Sequence, residues 1–361
     1  MRRPLMRSGM TWLAVLLVLA AFFVIRWLTA AGVFTSVTPL SPNICQPIAR
    51  LQGPEDFEVD AAHDAVIVSS TNRRAPKDAP DARDGLYVLK LSDTKAAPVK
   101  LTDGVPKDFH PHGISLYRAP NGDETLMAIN HHPNGTHSVE IFGLSYEDGV
   151  AKLSPHASIA GGLLVSPNDL FAAGPDRFYI TNDHASKPGS LGRFAEDYLI
   201  WPHADLLYFN GTSFRISVQR MAFPNGVYVT PDGAHLYVTL TNERRIVAFS
   251  REPYFGSLKE IGALSIPARL DNISADAQGR LIVAGHPSLL GDNAFRRDPA
   301  KPSPSEVFRV TLDKDGVPTG YETIFADKGR LIGASSVAAM VGQRLLIGSV
   351  LDDKILECRP Q

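Results

Sequence analysis

Residues 225–239 read NGVYVTPDGAHLYVT, and this stretch decides the fold. Apolar and polar side chains alternate in Gly226-Val227-Tyr228-Val229-Thr230 and again in Leu236-Tyr237-Val238-Thr239, with Pro231-Asp232-Gly233 between the two runs. A period of two on either side of such a turn predicts a β-hairpin. The unit is a polar pair, a short strand, a turn rich in Gly, Asp or Asn, and a more apolar strand. Copies begin at Glu55-Asp56, His112-Gly113, Asn168-Asp169, Asn225-Gly226, Asp271-Asn272 and Ser335-Ser336. Their spacings, taken as differences of those positions, are 57, 56, 57, 46 and 64 residues, near the roughly 50-residue blade of a four-stranded propeller. Residues 35–361 are therefore expected to form one all-β domain, a six-bladed β-propeller.

Outside the repeats, the N-terminus differs in kind. Arg2, Arg3 and Arg7 precede an apolar run from Met10 to Ile25, followed by a softer apolar stretch to Phe34. Residues 1–34 read as a transmembrane or signal-anchor helix, which would leave its charged start in the cytoplasm and send the rest of the chain across the membrane. Ala30, Ala31 and Gly32 also allow cleavage and release, so retention of the segment stays open. The composition, 44% hydrophobic and 20% charged, is that of a chain with an ample core. With 36 Lys and Arg against 38 Asp and Glu, a net charge of -2 gives no field for a nucleic-acid partner. Oligomeric state is not legible. The two cysteines, Cys45 and Cys358, lie at the two ends of the propeller segment. That placement suggests a disulfide in an oxidising compartment, with two separate buried thiols as the alternative.

In a propeller the innermost strand of each blade lines the axis, so the polar starts should converge at one mouth. They supply Glu55, Asp56, His112, Asn168, Asp169, Asn225, Asp271 and Asn272. Four carboxylates forced together repel one another, and a hard cation with many oxygen ligands is the natural remedy. Ca²⁺ fits this oxygen-rich set better than Mg²⁺ or Zn²⁺. Two ions would balance the four charges. Taken singly, Asn-Gly and Asn-Asp are ordinary turn pairs; the recurrence at one place in the repeat carries the metal reading.

The segments GPEDFEVD, HPHGIS, INHHPN, VSPNDLFAAGPDRFYITNDH, FPNGVYVTPDG and RLDNISADAQGRLIVAGHP, in that order, resemble the paraoxonase and arylesterase family from about Cys45 to Cys358. The resemblance implies a catalytic calcium held by Glu55, Asn168, Asn225, Asp271 and Asn272, and a deeper structural calcium held by Asp56, Asp169 and the backbone carbonyl of Ile114. It makes His112 and His131 a catalytic pair, places His184 and His286 on the pocket wall, and matches the terminal cysteines to the family's disulfide. Phe223, Ser336 and residues 189–202 would line or cover the entrance, and residues 289–304 would be a second lid or a surface loop. The implied activity is metal-assisted attack of water on lactones and aryl esters, with acyl-homoserine lactones and organophosphates as further substrates. No Gly-x-Ser-x-Gly elbow supports a serine nucleophile. The alternatives are a related gluconolactonase or strictosidine-synthase-like propeller, and a non-catalytic propeller that uses calcium for rigidity and binds a partner on its top face.

Overall fold

A computed structural model describes residues 4–41, 44–76, 81–93, 95–102 and 108–359, with side chains from residue 9 onward. Arg2, Arg3, the Arg7 side chain and the last two residues of the expected propeller segment lie outside that description. A long helix, α1 (Pro4–Ala30), precedes six four-stranded antiparallel sheets. The first five follow one another along the chain, each running from an inner to an outer strand. Their inner strands are Pro54–Asp60, Pro111–Arg118, Pro167–Ala172, Pro224–Val229 and Leu270–Ala275. Blade six takes Ser335–Val341, Arg344–Ser349 and Ile355–Arg359 from the C-terminus and Ile44–Ala49 from the start of the domain. Each inner strand packs against those of the blades beside it, the first against the sixth, so the ring is closed.

The core explains why the second strand of each blade is apolar almost throughout. Successive side chains of a strand point to opposite faces, and here both faces are covered by a neighbouring blade. Val66 and Val68 pack toward blade six, while Ile67 between them packs toward blade two. Phe178 and Ile180 meet blade two, while Tyr179 meets blade four. Six such clusters fill the six gaps between blades. The predicted hairpin is present as Pro224–Val229 and His235–Leu240.

Cys45 and Cys358 stand opposite each other in the register of the closing blade and are bonded, S–S 2.01 Å, across 313 residues of chain. Loop-closure entropy gives a bond of that span on the order of 5 kcal/mol, as an upper value. It locks the N-terminal strand into the last blade.

Two segments expected as lids or surface loops contain short helices, α2 (Leu191–Tyr198) and α3 (Leu289–Arg297). Ser190 caps α2 by accepting from the Arg193 amide, and Ser288 caps α3 by accepting from Gly291. The apolar part of α1, Gly9–Ala30, is long enough to cross a membrane. Its C-terminal end docks on the face carrying α2 and α3. Arg26 donates to the Ile200 carbonyl at 3.2 Å, Trp27 stacks on Tyr198, and Arg244 donates to the Thr29 carbonyl at 2.9 Å. Gly32 (φ +75°) passes so close to Pro287 that a Cβ there would lie 1.6 Å from its carbonyl oxygen.

Candidate metal centre

All six inner strands share one irregularity. The register to the second strand shifts between Pro54 and Asp56, Pro111 and Ile114, Pro167 and Leu170, Pro224 and Val227, Leu270 and Ile273, and Ser335 and Ala338. The polar pairs of the repeat sit in or beside these irregularities. A bulge breaks the alternation of side chains and re-aims those within it, which explains how adjacent residues such as Glu55 and Asp56 can both be buried at the axis. Two of the pairs contain glycine, His112-Gly113 and Asn225-Gly226, and both lie within inner strands. Their glycines admit the next blade: a Cβ on Gly113 would lie 2.7 Å from Asp169 Cα, and one on Gly226 2.6 Å from the Asp271 carbonyl oxygen.

Glu55, Asn168, Asn225, Asp271 and Asn272 are all buried, and each retains one side-chain oxygen with no hydrogen-bond partner: Glu55 Oε2, Asn168 Oδ1, Asn225 Oδ1, Asp271 Oδ1 and Asn272 Oδ1. A buried acceptor left unpaired costs about 1–3 kcal/mol, so five at one mouth need a common explanation. Other polar atoms of the group are engaged. Asn272 Nδ2 donates to Glu55 Oε1 at 3.2 Å, Asn168 Nδ2 to Asp183 Oδ2 at 3.3 Å, and Ser336 Oγ to the Glu55 carbonyl at 2.6 Å. Two bases approach Glu55 Oε2 at 3.6 Å, His112 through Nε2 and Arg73 through its guanidinium. Burial disfavours the Glu55 carboxylate, but these neighbours outweigh it and hold its pKa below the ordinary value. Arg73 lies in the chain after blade one's second strand and outside the repeated start, so the repeat could not reveal it.

Deeper in the axis Asp56 and Asp169 border a cavity of about 200 Å³, lined also by Ile114, Val227 and Asn272. Asp56 Oδ2 accepts from the Ile114 amide at 2.7 Å and Asp169 Oδ2 from the Val227 amide at 2.8 Å. Ile114 thus meets Asp56 through its N–H. Burial, then negative neighbours, push both carboxyls well above the ordinary aspartate value in the metal-free protein.

The histidines fall into two groups. His112 Nδ1 lies 2.7 Å from His131 Nε2, as the expected pair requires, and His131 Nδ1 lies 2.8 Å from Nδ1 of His137, a residue the repeat did not single out. His184 and His286 instead stand between carboxylates. His184 bridges Asp183 (2.7 Å) and Asp197 on α2 (2.9 Å), and His286 bridges Asp271 (3.2 Å) and Asp292 on α3 (2.7 Å). Burial opposes charge on both rings, yet their acidic partners raise the pKa values to about 9 and about 10. Both are therefore cationic clamps that tie the two short helices to the site. His184 also packs edge-on against Phe223, at 4.9 Å between centroids.

The Arylesterase family model matches residues 36–359. The chain belongs to the arylesterase family. It is 30% identical over 317 residues to bovine (Bos taurus) serum paraoxonase/arylesterase 2, covering 86% of each chain. It is 27% identical over 328 residues to human serum paraoxonase/lactonase 3, covering 89% of this chain and 90% of that one. Among solved structures, the calcium-binding protein regucalcin from Agrobacterium tumefaciens superposes with a TM-score of 0.53 at 16% identity, over 89% of this chain and 95% of that one. The last likeness concerns the fold.

A second acidic group has a different character. At the far end of blade one's inner strand, Asp60, His63 and Glu124 bring ligand atoms within 4.8 Å of one another. Arg118 lies among them, 2.9 Å from Asp60 Oδ1 and 2.8 Å from Glu124 Oε1, so the group carries its own cation.

Proposed function

We propose that this member of the arylesterase family is a calcium-dependent hydrolase of lactones and aryl esters. One observation carries the reading: five buried oxygens without a hydrogen bond, supplied by the inner strands of blades one, three, four and five. Two carboxylates and three amides, without sulfur, suit a hard cation of flexible coordination. Glu55, Asn168, Asn225, Asp271 and Asn272 would hold the catalytic ion; Asp56, Asp169 and the Ile114 carbonyl would hold the structural one. With a coordination position left open, bound Ca²⁺ supplies Lewis acidity for the acyl carbonyl and stabilisation for the oxyanion. His112 presents Nε2 toward Glu55 and the mouth of the axis, where it takes the proton of the attacking water, while His131 fixes its ring. Phe223, His184 and His286 shape the wall against which an acyl or aryl group packs. Ser336 spends its hydroxyl on the Glu55 carbonyl, consistent with water rather than serine as nucleophile. The curated relatives named paraoxonase, arylesterase and lactonase support this substrate range.

The same reading keeps α1 as a membrane anchor with the propeller outside the cytoplasm. Its basic start, its apolar length and the bonded cysteines support that placement. Ala30 and Ala31, where cleavage would be sought, are buried in the folded chain. The test of activity is a panel of lactones and aryl esters offered to the full chain in detergent, with and without a chelator. Turnover that is lost on chelation and restored by Ca²⁺ is expected; turnover indifferent to chelation, or none on any member, overturns the proposal.

A further inference from the structure

The cavity of about 200 Å³ bordered by Asp56 and Asp169 continues down the axis toward the lower ends of the inner strands. Side chains two positions apart on a strand point the same way, and the residues two positions past Asp56, Asp169, Gly226 and Asn272 are Glu58, Phe171, Tyr228 and Ser274. All four line the cavity. Exposure changes at their level: Asp56, Asp169 and Asn272 are buried, whereas Glu58, Phe171, Tyr228 and Ser274 are each partly exposed. So are Val59, Ala275 and Met340, the lining residues farthest along their strands. The axis is thus more open to solvent below the deep aspartates than at them.

Among the described residues lining this cavity, Glu58 is the one carboxyl besides Asp56 and Asp169, and none is basic. Its Oε1 accepts from the Leu116 amide at 3.1 Å, much as Asp56 Oδ2 accepts from the Ile114 amide at 2.7 Å one step higher. Arg118, farther along the same strand of blade two, is engaged by Asp60 at 2.9 Å and Glu124 at 2.8 Å. Ser274 donates its hydroxyl to the Ala338 carbonyl at 2.7 Å, so what it lends the cavity is small size. Phe171 and Tyr228 meet edge-on at 5.5 Å between centroids and wall the remaining side.

Resting on the reading that calcium occupies the axis, we propose that its lower half is the passage through which the deep site gains and loses its ion, with Glu58 as the group that receives the ion on the way. The upper route is obstructed by the other site. Glu55, Asn168, Asn225, Asp271 and Asn272 are buried and would hold the catalytic ion, so a cation reaching Asp56 and Asp169 from that side would have to displace one already bound. From below it meets a single carboxyl in a cavity large enough for several waters. A carboxylate between low-dielectric walls raises the local concentration of cations and their rate of entry. The two sites can then fill independently, and the deep one can be loaded without emptying the mouth.

The experiment follows calcium exchange in the full chain in detergent. Burial pushes the Glu58 carboxyl up to about 7, so measurements are made at about pH 8, where it is ionised. Loaded protein is mixed rapidly with a fluorescent chelator, and Kd is read by calorimetry. Wild type is expected to release Ca²⁺ in two phases, the slower from the deep site. Ser274→Phe narrows the passage and should slow release and uptake of the deep ion alike by about ten-fold, equivalent to about 1.4 kcal/mol of added barrier, leaving Kd and the fast phase unchanged. Ser274→Ala keeps the passage open and should exchange like wild type. Glu58→Gln preserves shape, carries the test if the larger side chain is not accommodated, and should slow uptake on the order of ten-fold. Two phases of which the slower is indifferent to Ser274→Phe and Glu58→Gln overturn the passage alone. A single phase from one bound ion overturns the two-ion reading and the passage with it. Exchange as expected in a chain that hydrolyses nothing on the panel leaves the passage standing and overturns the hydrolytic reading instead.

Discussion

The inner strand of blade one, Pro54–Asp60, presents buried carboxylates at both ends, and the two ends solve the same electrostatic problem differently. At the lower end Asp60 receives Arg118 at 2.9 Å, His63 at 2.9 Å and the Tyr146 hydroxyl at 2.7 Å. Burial disfavours its charge, but these partners win and hold its pKa below the ordinary value. At the upper end Arg73 and His112 approach Glu55 Oε2 only to 3.6 Å, Asp56 accepts from backbone amides and lies among like charges, and the amide oxygens around them have no hydrogen bond. Where the chain supplies the counter-charge the site is closed and structural. Where the chain supplies only part of it, through Arg73 at Glu55 and His286 at Asp271, the remaining counter-charge must come from solution, and a position is left for chemistry.

The comparison breaks most sharply on the oxygens themselves. Asn225→Ala and Asp271→Ala should each lower kcat/KM by about a thousand-fold or more, since each removes a ligand from the group that stabilises the oxyanion. Asp60→Asn at the lower end should leave turnover within a few-fold of wild type. Steady-state kinetics on purified variants at saturating Ca²⁺ decide this, and equal loss at both ends would dissolve the distinction. His112→Gln comes next, with a loss on the order of 100-fold in lactone turnover and little change in Ca²⁺ affinity measured by calorimetry.

The pH dependence of stability then separates the two ends by sign. Asp56 and Asp169 have folded-state pKa values raised above those of the unfolded chain, so between the two the metal-free folded state holds more protons. Its stability must fall as pH rises above about 4, the unfolded value for aspartate. Thermal melts of chelated protein are expected to drop in Tm from acid toward neutral pH, and Ca²⁺ to abolish the drop. A chelated protein whose Tm rises over that range would show that the deep carboxylates are already compensated.

Much of this was legible in the sequence because the propeller repeats its geometry as well as its strands. A bulge at the same place in every inner strand turns weak turn-like pairs into an aligned set, and Glu55, Asn168, Asn225, Asp271 and Asn272 could be gathered by position together with Asp56, His112 and Asp169, whereas their division between two ions came from the family resemblance. Cys45 and Cys358 were readable because ring closure must join the two ends. Groups set by contacts between blades were not. Arg73 reaches Glu55 from a connection with no counterpart in the repeat, and the end of α1 is held on the propeller by Arg26 to Ile200, Trp27 to Tyr198 of α2, and Arg244 to Thr29, which no local pattern links. His137 lies between these cases. The turn in HHPNGTH, read as a hairpin, would have set it opposite His131, but that required attention to the second and third strands of a blade, where the repeat is least polar.

The smallest expected effect tests whether the two ends of the strand differ only in the source of their cation. Arg118→Met removes the resident charge from Asp60 and Glu124. Because the Arg118 side chain is 43% exposed, solvent screens the pair, and the loss of stability at neutral pH should be modest, about 1–2 kcal/mol. Asp60 is depressed in the wild type, so Arg118 contributes at pH values above the unfolded pKa of aspartate. That contribution fades as pH falls through the depressed folded value, and the melts of variant and wild type should converge in acid. With the guanidinium gone, Asp60, His63 and Glu124 keep ligand atoms within 4.8 Å of one another, two carboxylates and an imidazole, which is a donor set suited to Zn²⁺. Added Zn²⁺ should therefore restore part of the lost Tm in Arg118→Met and leave the wild type unmoved. If the variant ignores the metal, the lower group is shaped for an arginine alone, and the openness of the upper mouth owes more to the aim of its bulged strands than to a missing charge.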